Sequence, residues 1–149
     1  MIRIATLLDV PEIVKLTEQF YPETPYWTEH KIPFDYETVR DLVGNVVKRG
    51  IFVVAQQDDR LVGIMGAHVV PFVFNLSYTV CVEAIWWVVP EFRKTGLGVE
   101  MIHRVDKLRK LRNCKTFQMM RVAGTNPALD DLLIGLGFKP SEYCLTKVD

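Results

Sequence analysis

The stretch that most constrains the fold is Thr79–Val89, eleven residues, mostly β-branched or aromatic, that stop at Pro90. Such side chains fit a pleated, packed surface, so the run reads as the strongest strand in the chain; Pro90 ends it by removing a ladder donor and restricting Val89. A short polar loop follows. Residues 98–112 then carry a helical stripe, with Ile102, Val105, Leu108 and Leu111 inside and Arg104, Lys107 and Lys110 outside. A strand that feeds a helix through such a loop presents unpaired backbone N–H groups and a partial positive charge at the helix start. Gly96 and Gly98 let those amides approach a ligand where a Cβ would obstruct; Arg93 and Lys94 add full charges, and Thr95 a hydroxyl donor. The segment Arg93-Lys94-Thr95-Gly96-Leu97-Gly98 therefore reads as a cradle for pyrophosphate.

The rest of the chain frames this unit. Residues 2–8 read as a short strand, and Asp9-Val10-Pro11-Glu12 as a helix start, with Asp9 as cap and Glu12 completing a capping box. Tyr21–Phe34, with its prolines and aromatics, is poor helix or strand material. Asp35 caps a second helix whose stripe is Val39, Leu42, Val43, Val46 and Val47, ended by Gly50. Ile51–Ala55 and Leu61–Met65 read as strands joined at Asp58-Asp59; Pro71 interrupts the pattern, and Asn75-Leu76-Ser77 offers the next turn. Phe117–Val122 is another strand. A short helix starting at Thr125-Asn126-Pro127 carries Leu129, Leu132, Leu133 and Leu136, and Phe138–Lys147 supplies the final strand or strands. This order predicts one mixed α/β domain over residues 1–149, with antiparallel hairpins in its first half.

Composition narrows the partners. Eighteen basic and eighteen acidic residues cancel, so neither nucleic acid nor an anionic membrane is favoured, and any anion site must be local. Cys81, Cys114 and Cys144 are widely spaced, with no CxxC and no His/Cys cluster. They predict buried free thiols and no metal site. With no signal-peptide layout and no apolar run long enough for a membrane span, a cytoplasmic protein is expected.

A Walker loop would need a lysine after its last glycine, where Val99 and Glu100 stand, and a dinucleotide fingerprint would need Gly or Ala at Met101. What remains is Arg-x-x-Gly-x-Gly after a strand ending in Val-Pro. The run from Trp86 to Gly98 resembles the acetyl-CoA signature of the GNAT acyltransferases, and the order of elements resembles that family over nearly the whole chain. The double Trp before the signature is similar to small GNAT proteins encoded by phages.

The resemblance implies a central, mostly antiparallel sheet with a parallel pair splayed at a cofactor cleft, flanked by about four helices. It implies acetyl-CoA as co-substrate: backbone from Trp87, Val88 and Val89 beside the pantetheine arm, and amides from Arg93, Lys94, Thr95, Gly96, Leu97, Gly98 and Val99 on the pyrophosphate. Asn126 matches a family asparagine that contacts the cofactor; as a residue it is equally a helix cap before Pro127.

Glu83, the one acidic residue of the long strand, is the expected general base, and alternation places it on the face of Cys81, Ile85 and Trp87. Burial there would raise its pKa; otherwise it sits at a solvent edge or pairs with an arginine. The family's tyrosine acid is replaced by Leu133, which leaves Tyr143, or water, to protonate the thiolate. The acceptor would be a small-molecule or polypeptide amine recognised by Tyr21–Phe34, and a homodimer is among the family's habits. A non-catalytic cofactor-binding module and a purely structural protein remain alternatives.

Overall fold

The computed structural model describes residues 1–149. Its elements are β1 (Ile2–Ile4), α1 (Val10–Phe20), α2 (Pro25–Thr28), α3 (Tyr36–Arg49), β2 (Ile51–Gln57), β3 (Arg60–Phe72), β4 (Asn75–Val88), α4 (Leu97–Leu111), β5 (Cys114–Gln118) and α5 (Ala128–Gly135). The five strands form one sheet in the order β1-β2-β3-β4-β5, antiparallel throughout except for the parallel pair β4–β5. Ile51–Ala55 of β2 and Leu61–Ala67 of β3 are buried residue after residue, which requires cover on both faces of the sheet. Helices α1 and α3 pack on each other over one face, and α4 lies over the other, its Met101 against Gly63 of β3.

Several boundaries differ from the sequence reading. The opening strand stops at Ile4, and the capping interaction falls one turn early: the Asp9 carboxylate accepts from the Thr6 N–H at 2.7 Å and pairs with Arg3. Glu12 instead accepts from the Leu61 N–H at 2.7 Å, tying α1 to β3. Pro71 does not interrupt β3, which runs on to Phe72 through a register shift, so the turn falls at Val73-Phe74 rather than at Asn75–Ser77. Tyr21–Phe34 holds a 3-10 turn at Tyr21–Glu23 and the single-turn α2, because Pro22 and Pro25 each occupy a first-turn position where the missing N–H is no loss. Phe138–Lys147 forms no strand at all.

Gly50 ends α3 for a reason of space. Its φ is −91°, open to any residue, but a Cβ there would meet the Ala67 carbonyl oxygen at 2.4 Å. Gly44, inside the same helix, has nothing within 4 Å of its Cβ position. Gly50→Ala is expected to destabilise the fold by about 1–3 kcal/mol through overpacking, and Gly44→Ala to stabilise it by up to about 1 kcal/mol through helix propensity. Urea unfolding of the two variants beside the parent reads both signs.

Candidate active site

The parallel pair is short. Cα partners run from Thr79↔Cys114 to Val82↔Gln118, and beyond them β4 continues to Val88 while β5 ends. From Glu83 onward the β5-facing edge of β4 has no strand beside it. Two contacts reach this stretch from that side: Met120 N–H donates to Glu83 Oε2 at 3.1 Å, and Arg93 Nε donates to the Val88 carbonyl at 2.9 Å.

Glu83 sits at the point of parting, 6% exposed. No cation neutralises it, so burial pushes its pKa up to about 7, with the Met120 N–H opposing the rise. The strand reaches this point through a bulge. β3 pairs Gly66 with Ile85 but Ala67 with Glu83, leaving Ala84 unmatched. The extra residue flips the alternation. Gly63, Met65, Ala67 and Val69 therefore share a face with Val88, Trp86, Glu83 and Cys81, whereas Ile85 and Trp87 lie on the other. The expected grouping of Glu83 with Ile85 and Trp87 is thus corrected: Glu83 keeps Cys81 but gains Trp86, on the face covered by α4.

That face leads to the glycine loop. Trp86 packs on Gly98, where an added Cβ would come within 2.9 Å of its ring, and the Trp86 indole N–H is buried without an acceptor. Lys94 and Gly96 take left-handed φ values of 67° and 87°, and nothing lies within 4 Å of the Cβ position of Gly96. The amides of Lys94, Thr95, Gly96, Gly98 and Val99 have no acceptor in the chain. They gather at the positive end of the fifteen-residue α4. Thr95 itself donates to the Phe92 carbonyl at 2.7 Å and shapes the turn. The arrangement offers an anion a row of N–H donors, continuous with an open strand edge and one buried carboxyl group.

A sequence profile of the acetyltransferase (GNAT) family matches residues 11–138. The chain belongs to the GNAT family. No curated protein sequence matches it. Among solved structures, it is similar to an aminoglycoside N-acetyltransferase in complex with CoA (16% identity, TM-score 0.75), covering 100% of this chain and 93% of that one. An aminoglycoside antibiotic 6'-N-acetyltransferase from Acinetobacter haemolyticus (15% identity, TM-score 0.70) is matched over 100% and 99% of the two chains. A transcriptional regulator from Bacillus halodurans (19% identity, TM-score 0.76) is matched over 99% and 97%. At these identities the likeness is one of fold.

Within this GNAT fold the remaining sequence candidates separate. Trp87 and Val88 end β4 and Val89 follows it, all three buried. Arg93 turns away from the amide row: its guanidinium lies 5.5 Å over the Trp87 ring and pairs with Glu23 at 3.1 Å, linking the loop to the segment after α1. Asn126 Oδ1 accepts from the Ala128 N–H at 3.0 Å, an Asx turn just ahead of α5, whose N-cap is Pro127 rather than Asn126. Leu133 is buried in the core. Tyr143 is 91% exposed on the irregular C-terminal segment, without a hydrogen bond, because the strand expected to carry it into the cleft is not formed. Cys81 and Cys114 are buried thiols as expected, but Cys144 is exposed. Sequence reasoning missed the Met120 amide, the Glu23–Arg93 pair seventy residues apart and the bulge at Ala84; none leaves a local pattern in the chain.

Burying Glu83 sets a pH signature. Its folded pKa lies above the usual 4.5, so the folded chain holds the proton more tightly than the unfolded one, and stability is lost as pH rises from about 4.5 through about 7. The loss amounts to about 3 kcal/mol at most. Glu83→Gln keeps an acceptor for Met120 and removes the titration. Its melting temperature is expected to exceed the parent's by several degrees at pH 8 and to converge with it at pH 4.5, as differential scanning calorimetry at the two pH values would show.

Proposed function

We propose that the chain is an acetyl-CoA-dependent N-acetyltransferase that moves an acetyl group to a primary amine by direct attack on the thioester, with Glu83 as general base. The observation that carries this reading is the buried Glu83 carboxyl group, with a pKa of about 7, at the point where β4 parts from β5. Acetyl-CoA fits the residues present. An extended pantetheine arm can add to the free edge of β4 as a strand would, and the unpaired amides of Lys94, Thr95, Gly96, Gly98 and Val99 suit its pyrophosphate. Leu97 lies between those donors. The buried Trp86 indole N–H, beside Gly98, is a further donor without a partner. When bound, acetyl-CoA supplies the activated acyl group.

The chain's part in the reaction is to orient and to move a proton. The β4 edge and the loop would hold the acyl donor alongside Glu83, which increases the effective concentration of the reacting groups. Ionised Glu83 accepts the proton that an ammonium must lose before its nitrogen can attack, and a pKa near neutrality suits both taking and releasing it. The Met120 N–H is the one hydrogen-bond partner of the Glu83 carboxyl group and Tyr143 stands exposed, so the thiolate would take its proton from solvent. The acceptor enters from the side of Tyr21–Phe34, where Tyr26 and Trp27 are half exposed. These rings can stack on a flat or cationic molecule. The amine belongs to a small molecule or a polypeptide, and the two aminoglycoside acetyltransferases of similar fold favour the former.

CoA and acetyl-CoA should raise the parent's melting temperature, and a panel of amines should release free thiol from acetyl-CoA. Glu83→Gln is expected to lower kcat by about 10²-fold or more while leaving the CoA dissociation constant unchanged. It should also abolish a limb of the kcat/KM profile that falls below about pH 7. Binding without turnover in any acceptor would instead identify a cofactor-binding module, and no binding would sink the reading altogether.

A further inference from the structure

The end of the molecule opposite the glycine loop carries a feature that acyl transfer does not use. β2 leaves β3 after the pair Ile51↔Ala67, and β5 joins β4 only at Thr79↔Cys114. Between those points β3 and β4 run on as a two-stranded ribbon, with no strand on either side, and reach about 15–20 Å past the rest of the sheet. Every residue from Val70 to Tyr78 is exposed, and none belongs to the core. At the tip Val73, Phe74 and Leu76 are 78%, 88% and 76% exposed, and the rings of Phe72 and Phe74 meet edge-on with centroids 5.7 Å apart. A lone ribbon is marginal in water, and apolar side chains gathered on its tip mark a surface that is covered in use.

Positive charge collects at the base of this ribbon. The chain is neutral overall, yet residues 42–57, 61–82 and 107–129, which supply the hairpin and its base, contain no aspartate or glutamate. α3 ends at Arg49, and Gly50 after it packs against the Ala67 carbonyl of β3. Arg112, just past α4, donates to the Arg49 and Gly50 carbonyls, and Lys115 of β5 lies 6.0 Å over the Tyr78 ring. These contacts join the basic residues to the hairpin as one collar. Lys48, Arg49, Arg112 and Lys115 are all exposed, and none forms an ion pair. The carbonyl ends of two helices attract some of this charge, but Lys115 stands on a strand, and Arg112 keeps its full charge after bonding to carbonyls.

We infer that this end docks on an anionic phospholipid bilayer, with the hairpin tip in the headgroup region and the basic collar against the lipid phosphates. A bilayer fits for two reasons. The ribbon is bare on both faces, and a fluid interface covers both at once, whereas a protein groove would have to be shaped around it. A second copy placed across a two-fold axis would set one basic collar against another. Aromatic and aliphatic side chains anchor at the lipid–water boundary, where water still reaches the backbone of the turn. Each Lys or Arg near an anionic surface strengthens attachment about 5-fold. The glycine loop, at the far end of the fifteen-residue α4 and about 22 Å along it, stays clear of the bilayer and open to a soluble cofactor.

Flotation with lipid vesicles tests this on the full chain. The parent is expected to float with vesicles of equal parts phosphatidylcholine and phosphatidylglycerol, about tenfold or more weakly with phosphatidylcholine alone, and less as salt is raised. Phe74→Asp, and separately Lys48→Glu with Arg49→Glu, are each expected to weaken binding by about tenfold or more with an unchanged circular dichroism spectrum. Should Phe74→Asp fail to fold, Phe74→Trp reads the same contact: brominated-chain lipids are expected to quench its emission more than the parent's. A parent that stays unbound overturns the inference, and binding to soluble polyglutamate in place of vesicles would assign the collar to an acidic protein instead. A folded Phe74→Asp that binds like the parent, equal binding to both vesicle types, or Phe74→Trp quenched no more than the parent also overturns it.

Discussion

The parting of β4 from β5 after Val82↔Gln118 is the constraint on which the site depends. A strand edge inside a protein must find hydrogen-bond partners or face water, so a ladder that stops while one strand runs on leaves a slot of fixed width and polarity. Here the slot begins at the one acidic side chain of β4. The Met120 amide, freed by the same parting from any ladder role, turns to the Glu83 carboxylate at 3.1 Å. Burial without a cation is unfavourable for stability and favourable for proton transfer; the geometry that opens the slot also sets the pKa of the group at its apex.

The bulge at Ala84 turns this local arrangement into a connected one. Without it, strict alternation would group Glu83 with Ile85 and Trp87, on the face away from α4. The one-residue shift between Gly66↔Ile85 and Ala67↔Glu83 puts Glu83 on the face of Trp86 instead, and Trp86 rests on Gly98 at the start of α4. Three residues of strand, about 10 Å, then separate the carboxyl group from the helix end that offers the amide row. Such bulges commonly re-aim side chains beside functional sites, at the cost of a locally broken ladder.

How far the sequence revealed this depends on whether each feature is local. The long strand into Pro90, the glycines at 96 and 98, the helix after them and the isolated Glu83 are all contiguous signals, and they were legible. The α3 stripe was legible too, except that Leu42 ended exposed, as did Leu111 at the end of α4, where the stripe runs past the sheet. What failed were features decided across the fold. Glu12 had a neighbouring capping partner by pattern, but the Leu61 amide won it; Pro71 looked like a breaker, but β3 carries it at a register shift beside the hairpin tip. Arg93 read as a phosphate ligand because its charge lies in the signature. Trp87, the Val88 carbonyl and Glu23 hold it elsewhere, and none of these is visible from the loop. The final segment has strand-forming residues but no strand, since propensity states what a residue tolerates and not where its partner is.

A division of labour follows from which atoms make the site. In the proposed reading its donor side consists of backbone amides, a strand edge and glycines, groups that many side-chain sequences can supply. That is consistent with a fold shared over nearly the full chain at 14–19% identity with other members of this architecture. In the proposed reading the acceptor side consists of side chains on Tyr21–Phe34, a segment held by proline-started turns and the contact of Tyr21 with Phe34. The Glu23–Arg93 pair fastens this segment to the donor loop. Such an exposed ion pair adds little to global stability. Its effect is positional: Arg93 is anchored on Trp87 and the Val88 carbonyl, so its grip on Glu23 ties the segment that carries Tyr26 and Trp27 to the end of β4.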